Sequence, residues 1–120
     1  MQNENAISQT DIILKLNKMT IENRLDWKIY EGKEVGSFLG EAFSCRYKDW
    51  NIIIFKRRVV ERVTSGRRPL VIRYRIAIVD LVSNKITLIK ETQQALQDLY
   101  ETINTKSSRF DEFIDNILKE

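Results

Sequence analysis

The segment from Leu70 to Val79 reads LVIRYRIAIV and carries the clearest period of two in the chain. Leu70, Ile72, Tyr74, Ile76 and Ile78 fall on one side of an extended backbone, and Arg73 and Arg75 on the other. Successive side chains of a strand point to opposite faces, so this alternation predicts a strand with one apolar face that must be buried. Past Arg75 the second face also turns apolar, through Ala77, Val79 and Leu81. That change predicts a helix or a partner covering this end.

Working outward, Thr64 to Pro69 holds Ser65-Gly66 and the single proline and reads as a hairpin loop, with Trp50 to Val63 as a long strand before it. Asp49 breaks an earlier run, Val35 to Lys48, which places Leu39, Phe43, Cys45 and Tyr47 on one face. Gly36 and Gly40 in that run mark bends or close backbone contacts. Asp26 to Glu31 alternates ahead of a Gly32-Lys33 turn. On the other side, Ser83-Asn84 turns the chain into Lys85 to Lys90. All these connections are short, and parallel neighbours would need a crossover of a dozen residues or more, so the strands form an antiparallel meander.

Helical periodicity brackets the strands. Ser8 followed by Asp11 resembles a capping box, ahead of Ile12, Leu16 and Met19. Thr92 is placed to cap a helix with Leu96, Leu99, Tyr100 and Ile103 on one side. Ser108 and Asp111 repeat the box-like signal before the stripe Phe110, Phe113, Ile114, Ile117 and Leu118. The predicted fold is therefore α+β in two layers: an N-terminal helix, about five strands in an antiparallel meander, and two C-terminal helices packed on one sheet face. A single domain over residues 1–120 is expected, since no linker divides the chain, with residues 1–7 flexible.

Composition excludes several chemistries. The 120 residues include no histidine and one cysteine. A Ser-His-Asp triad, a Cys-His pair, a His-ligated zinc, an internal disulfide and a multi-cysteine metal site cannot be built from them. Cys45 reads as a small buried hydrophobe. The glycines at 32, 36, 40 and 66 form neither a phosphate loop nor GxGxxG. Carboxylates at Asp98/Glu101 and at Asp111/Glu112/Asp115 lie away from the apolar stripes and read as solvated surface. No cofactor and no catalytic residue is expected. The first ten residues carry neither a basic nor an apolar signal region, and the longest apolar runs fall far short of the ~20 residues of a membrane helix. A soluble, cytoplasmic protein without a membrane partner is the expectation.

Charge is distributed unevenly. Residues 46–75 hold ten basic and two acidic side chains, net +8, whereas residues 1–45 and 76–120 carry −2 and −3. If the two central strands pair with even-numbered residues of the first beside Arg73 and Arg75, then Lys56, Arg58 and Arg62 join them on one face. Arg67 and Arg68 then stand at the loop tip, and Tyr47 and Trp50 serve as stacking platforms. The other register replaces Lys56, Arg58 and Arg62 on that face with Arg57 and Glu61. Three readings fit such a surface: a solvated or internally paired sheet face, a contact with a protein partner or a second copy of the chain, and a nucleic-acid interface.

The segments LDWKIYEG (Leu25 to Gly32), QDLYETI (Gln97 to Ile103) and FDEFIDNILKE (Phe110 to Glu120), with the basic hairpin, resemble a group of small cyanobacterial proteins that has no assigned activity. The resemblance implies an intracellular α+β domain and brings no site residues with it. The expected function is a non-enzymatic protein-interaction module, homodimeric through the sheet or its basic hairpin; a nucleic-acid-binding domain using residues 46–75 is the alternative.

Overall fold

Trp50–Val60 (β3) and Leu70–Asp80 (β4) are the two long strands of the molecule, 11 residues each, and every other element is arranged on or beside them. The computed structural model describes residues 8–60, 69–107 and 110–120, the side chains at 110 and 111 excepted. Residues 1–7, the Thr64 to Pro69 loop up to residue 68, and Ser108 lie outside the described residues. Lys28–Ile29 (β1), Phe43–Tyr47 (β2) and Ile86–Ile89 (β5) complete an open antiparallel sheet in the order β1-β2-β3-β4-β5. This is the predicted meander. Its strands are shorter at the start than the alternation suggested, because most of 30–42 forms a loop.

Gln9–Ile21 (α1) and Gln93–Ser107 (α2) lie on one face of the sheet. The Ser8 hydroxyl caps α1 by accepting from the Asp11 N–H at 3.1 Å. Ile13 and Leu16 of α1 meet Ala95, Leu96, Leu99, Tyr100 and Ile103 of α2 over Phe43, Ile52, Ile54, Ile76 and Ile89 of the sheet. Trp27 joins this layer, its indole N–H donating at 2.9 Å to Thr20, whose hydroxyl donates in turn to the Leu16 carbonyl at 2.8 Å. Phe110–Leu118 (α3) follows α2. The stripe of α3 is not absorbed into this layer: Phe113, Ile117 and Leu118 are 55, 54 and 78% exposed.

Thr92 stands immediately before α2, its carbonyl accepting from the Leu96 N–H at 3.1 Å. It sits at φ 44°, a left-handed conformation that β-branched residues rarely adopt, and its hydroxyl accepts from Thr10 at 2.8 Å. The turn it makes sets Gln93 against β4. There the Gln93 side chain accepts from the Tyr74 N–H at 2.7 Å and donates to the Tyr74 carbonyl at 2.8 Å. A side-chain amide thus stands in for a strand at the point where β5 ends.

Part of the second face of the sheet is covered by the chain's own residues 31–41, where the alternation predicted a helix or a partner. Tyr30, Ala42, Ile53, Phe55, Ala77 and Val79 are buried there, with Val35 and Phe38 packed on them. This explains why Ile52 to Phe55 shows no alternation: both of its faces are core. Gly36 and Gly40, at φ 77° and 59°, make the bends of the loop.

Because both faces are packed, replacing Ile53 by Ala should cost as much as replacing Ile54, about 2–5 kcal/mol each by denaturant unfolding. Gln93→Ala, which strips both hydrogen bonds from the Tyr74 backbone, should cost about 1–2 kcal/mol in the same measurement.

Candidate binding surfaces

The register of the central pair decides which charges meet. Ile54 faces Ile76 and Ile52 faces Ile78, so residues of equal parity stand opposite each other along the whole hairpin. Arg57 is consequently opposite Arg73, and Phe55 opposite Arg75. These odd-numbered positions lie on the loop-covered face. Lys56 and Arg58 lie on the helix-bearing face, opposite Tyr74 and Ile72.

Of the expected basic face of Lys56, Arg58, Arg62, Arg67, Arg68, Arg73 and Arg75, the described members do not share one side: Lys56 and Arg58 lie on the face opposite Arg73 and Arg75. The other register is adopted, and it divides the described cations into Arg57, Arg73 and Arg75 on one side and Lys56 and Arg58 on the other. Arg62, Arg67 and Arg68, with Glu61, lie outside the described residues. The stacking platform is displaced as well. Trp50 and Tyr47 are paired at the β2–β3 turn, and Trp50 is seven residues from Arg57 along β3, about 23 Å at the usual strand rise.

On the helix-bearing face, α2 covers β3 and β4 only as far as Lys56 and Tyr74. The Lys56 ammonium sits 5.1 Å from the centroid of the Tyr100 ring, which in turn stacks edge-on against Tyr74. Beyond them Val60, Leu70 and Ile72 are 55, 62 and 49% exposed, and Arg58 stands exposed beside them. The end of the hairpin is thus an apolar strip edged with positive charge.

On the opposite face the arginines are partly buried under the loop. The Arg57 guanidinium donates to the Val35 carbonyl and lies 4.9 Å from the Phe55 ring centroid. Burial, then the neighbouring charges of Arg57 and Arg73, push the Arg75 pKa down from its ordinary value. Sequence reasoning named Arg73 and Arg75 and left Arg57 to the second register. Four apolar residues in a row, Ile52 to Phe55, gave no parity by which to choose.

The loop itself is stapled by Tyr30. Its hydroxyl accepts from the Glu34 N–H at 2.7 Å and donates to the Glu34 carboxylate at 2.5 Å. That hydrogen bond lowers the Glu34 pKa, while burial and the same carboxylate raise that of Tyr30. The Leu39 N–H donates to the Lys56 carbonyl at 2.8 Å, which fixes the far side of the loop to β3.

Elsewhere, an apolar cleft of about 370 Å³ opens between α1 and the end of β2, lined by Ile12, Leu16, Met19 and Tyr47 with Asp11 and Lys15 at its sides. Cys45 is buried, and burial pushes its thiol pKa up, away from nucleophilic character. Among the described residues no group of three His, Cys, Asp or Glu side chains is placed to hold a metal, and no helix is long and apolar enough to cross a membrane. Comparison with known protein families, with curated proteins and with solved structures finds no match to this chain.

Tyr30→Phe removes both bonds of the staple and should cost about 1 kcal/mol near neutral pH. Because the folded-state pKa of Glu34 is depressed, its contribution is present above the unfolded carboxylate range and is lost as pH falls through the folded value. Urea unfolding of wild type and Tyr30→Phe should therefore give stabilities that converge between pH 7 and pH 3.

Proposed function

We propose that the chain is a non-enzymatic interaction module that associates with a second copy of itself, the α3 helix of one copy docking on the exposed end of the β3–β4 hairpin of the other. The observation that carries this reading is a match within one sequence between two exposed apolar surfaces of opposite charge. Val60, Leu70 and Ile72 form an apolar strip flanked by Lys56 and Arg58. Phe113, Ile117 and Leu118 form another on a helix whose segment, residues 110–120, holds four acidic side chains and one basic.

Apolar area left in water favours burial, and opposite charge selects which surfaces meet. Two α3 helices would repel each other, as would two hairpins. Helix on hairpin is attractive and, made reciprocally, closes a two-fold dimer with both strips covered. An amphipathic helix laid along an apolar surface is a common mode of recognition and needs no pocket. The nucleic-acid reading has less support, since the described cations are divided between two faces and stand far along the strands from the aromatic residues Tyr47 and Trp50.

Sedimentation equilibrium at ~50 and ~500 mM salt tests the assignment. A dimer is expected that weakens several-fold at the higher salt. Ile72→Asp and Ile117→Asp should each weaken it by at least ~30-fold, and circular dichroism should show both variants folded. A monomer at every concentration and both salts would overturn the reading.

A further inference from the structure

The sheet is open, and its two edges are finished differently. At one edge β1 is two residues long and carries Lys28, with the Asp26 carboxylate 4.0 Å from its ammonium; a short, charged edge is one way sheets avoid unwanted pairing. At the other edge β5, Ile86–Ile89, has no charge, no proline and no bulge within it. The register fixes which of its backbone groups are in use. The Asp80 N–H donates to the Lys85 carbonyl at 2.9 Å, and the N–H and carbonyl of Tyr74, a residue of the same parity, are the groups that the Gln93 amide meets where β5 ends. Hydrogen-bonded positions alternate along an antiparallel pair, so Thr87 and Ile89 bond to Ile78 and Ile76 across the β4–β5 ladder. The N–H and C=O groups of Ile86 and Leu88 consequently point away from the sheet, where no described strand meets them.

The side chains of β5 match its backbone. Ile86 and Leu88 lie on the loop-covered face opposite Val79 and Ala77, which are buried, yet they are themselves exposed, as are Leu81 and Val82. The cover formed by residues 31–41 therefore ends before β5, and the chain supplies only part of what this apolar end requires. We propose that β5 is a docking edge for an extended acidic peptide of a partner protein, added antiparallel as a sixth strand. Charge decides between such a partner and a second copy of the chain. Lys85 and Lys90 are exposed at the two ends of β5, and among the described residues neither has a carboxylate within ion-pair distance. Two copies paired through β5 would line four lysines along one seam, whereas a strand with acids at its ends meets complementary charge.

The register also sets the pattern that this edge recognises. Main-chain hydrogen bonds supply affinity in strand addition, and alternate side chains supply specificity. Peptide residues opposite Leu88 and Ile86 exchange the hydrogen bonds and place apolar side chains on the loop-covered face, extending the second core. The residue between them faces Thr87 on the other side of the sheet, where a β-branched side chain pairs well. An acid opposite Lys90 and another opposite Lys85 complete the order acid, any residue, apolar, β-branched, apolar, acid. β5 pairs with Ile76 to Val79 of β4, at the far end of that strand from Leu70 and Ile72, so the edge is separate from the surfaces assigned to self-association.

The probe is the peptide acetyl-Glu-Thr-Val-Thr-Val-Glu-amide, titrated into the intact protein, with hydrogen exchange of single amides followed by NMR. At saturating peptide the Ile86 and Leu88 amides are expected to exchange at least ~10-fold more slowly than in the free protein. The same peptide with both valine amides N-methylated lacks the donors for the Ile86 and Leu88 carbonyls and should bind at least ~10-fold more weakly. Lysine in place of both glutamates should weaken binding by at least ~10-fold, and the double variant Lys85→Glu/Lys90→Glu, altered at exposed positions only, should reverse the preference between the two peptides. Unchanged exchange at Ile86 and Leu88 would overturn the proposal, as would equal binding of the N-methylated peptide or a preference that does not reverse. Protection of the same amides that grows with protein concentration in the absence of peptide would also overturn it, because the edge would then belong to a second copy. Dimerisation through α3 leaves these amides in water, so sedimentation and exchange test the two proposals separately.

Discussion

The pairing of Ile54 with Ile76 at the centre of the β3–β4 hairpin is the constraint from which the rest of the molecule follows. It fixes equal parity along eleven pairs. Even-numbered residues are thereby assigned to the helices and odd-numbered ones to the loop. Eleven residues of strand extend about 36 Å, longer than α2 can cover on one face or the loop on the other. The hairpin therefore overhangs its own core. The radius of gyration, 16.8 Å, exceeds the roughly 14 Å of a compact chain of this length, and the longest dimension reaches 59 Å.

The two cores are closed by different means. Helices satisfy their own backbone, so α1 and α2 can lie over Ile52, Ile54 and Ile76 at no further cost in hydrogen bonds. A loop over Ile53 and Phe55 has to find partners for its polar groups one at a time. Residues 31–41 do so through the Tyr30 N–H to the Ala42 carbonyl, the Leu39 N–H to Lys56, the Val35 carbonyl to Arg57, and the Tyr30–Glu34 staple. Arg57 thus has a part in the cover of the second core as well as in the cationic cluster. Its Nη2 is engaged by the loop while its Nε is left without a partner.

These differences decide what was legible in the sequence. The alternation from Leu70 to Ile78, the Ser8 cap and the Ser83-Asn84 turn each carry a local signal, and each is found where it was expected. The α2 stripe of Leu96, Leu99, Tyr100 and Ile103 was equally plain. What the sequence withheld was long-range. Ile52 to Phe55 is apolar at every position, so nothing within β3 tells one register from its neighbour, and with the register went the grouping of the arginines. Val35 to Ala42 alternates well enough to read as a strand, but its glycines take left-handed φ values and turn it into a covering loop. The apolar stripe of α3 is as clear as that of α2, and periodicity alone cannot say which of two such helices the sheet has room for.

The limited room on the sheet has an energetic side. A two-stranded ribbon is marginal in water unless something packs on it, and among the described residues neither helix nor loop lies on the last residues of the β3–β4 overhang. On one face they expose Val60, Leu70 and Ile72; on the other, just inside the overhang, they hold three arginines with two buried donors unmet. Both features lie at the same end of the hairpin, while the stretch of β3 from Ile52 to Phe55 is packed on both sides. A core that buries both faces of β3 from Ile52 to Phe55 thus separates a rigid middle of the sheet from a hairpin end whose apolar side chains stand in water.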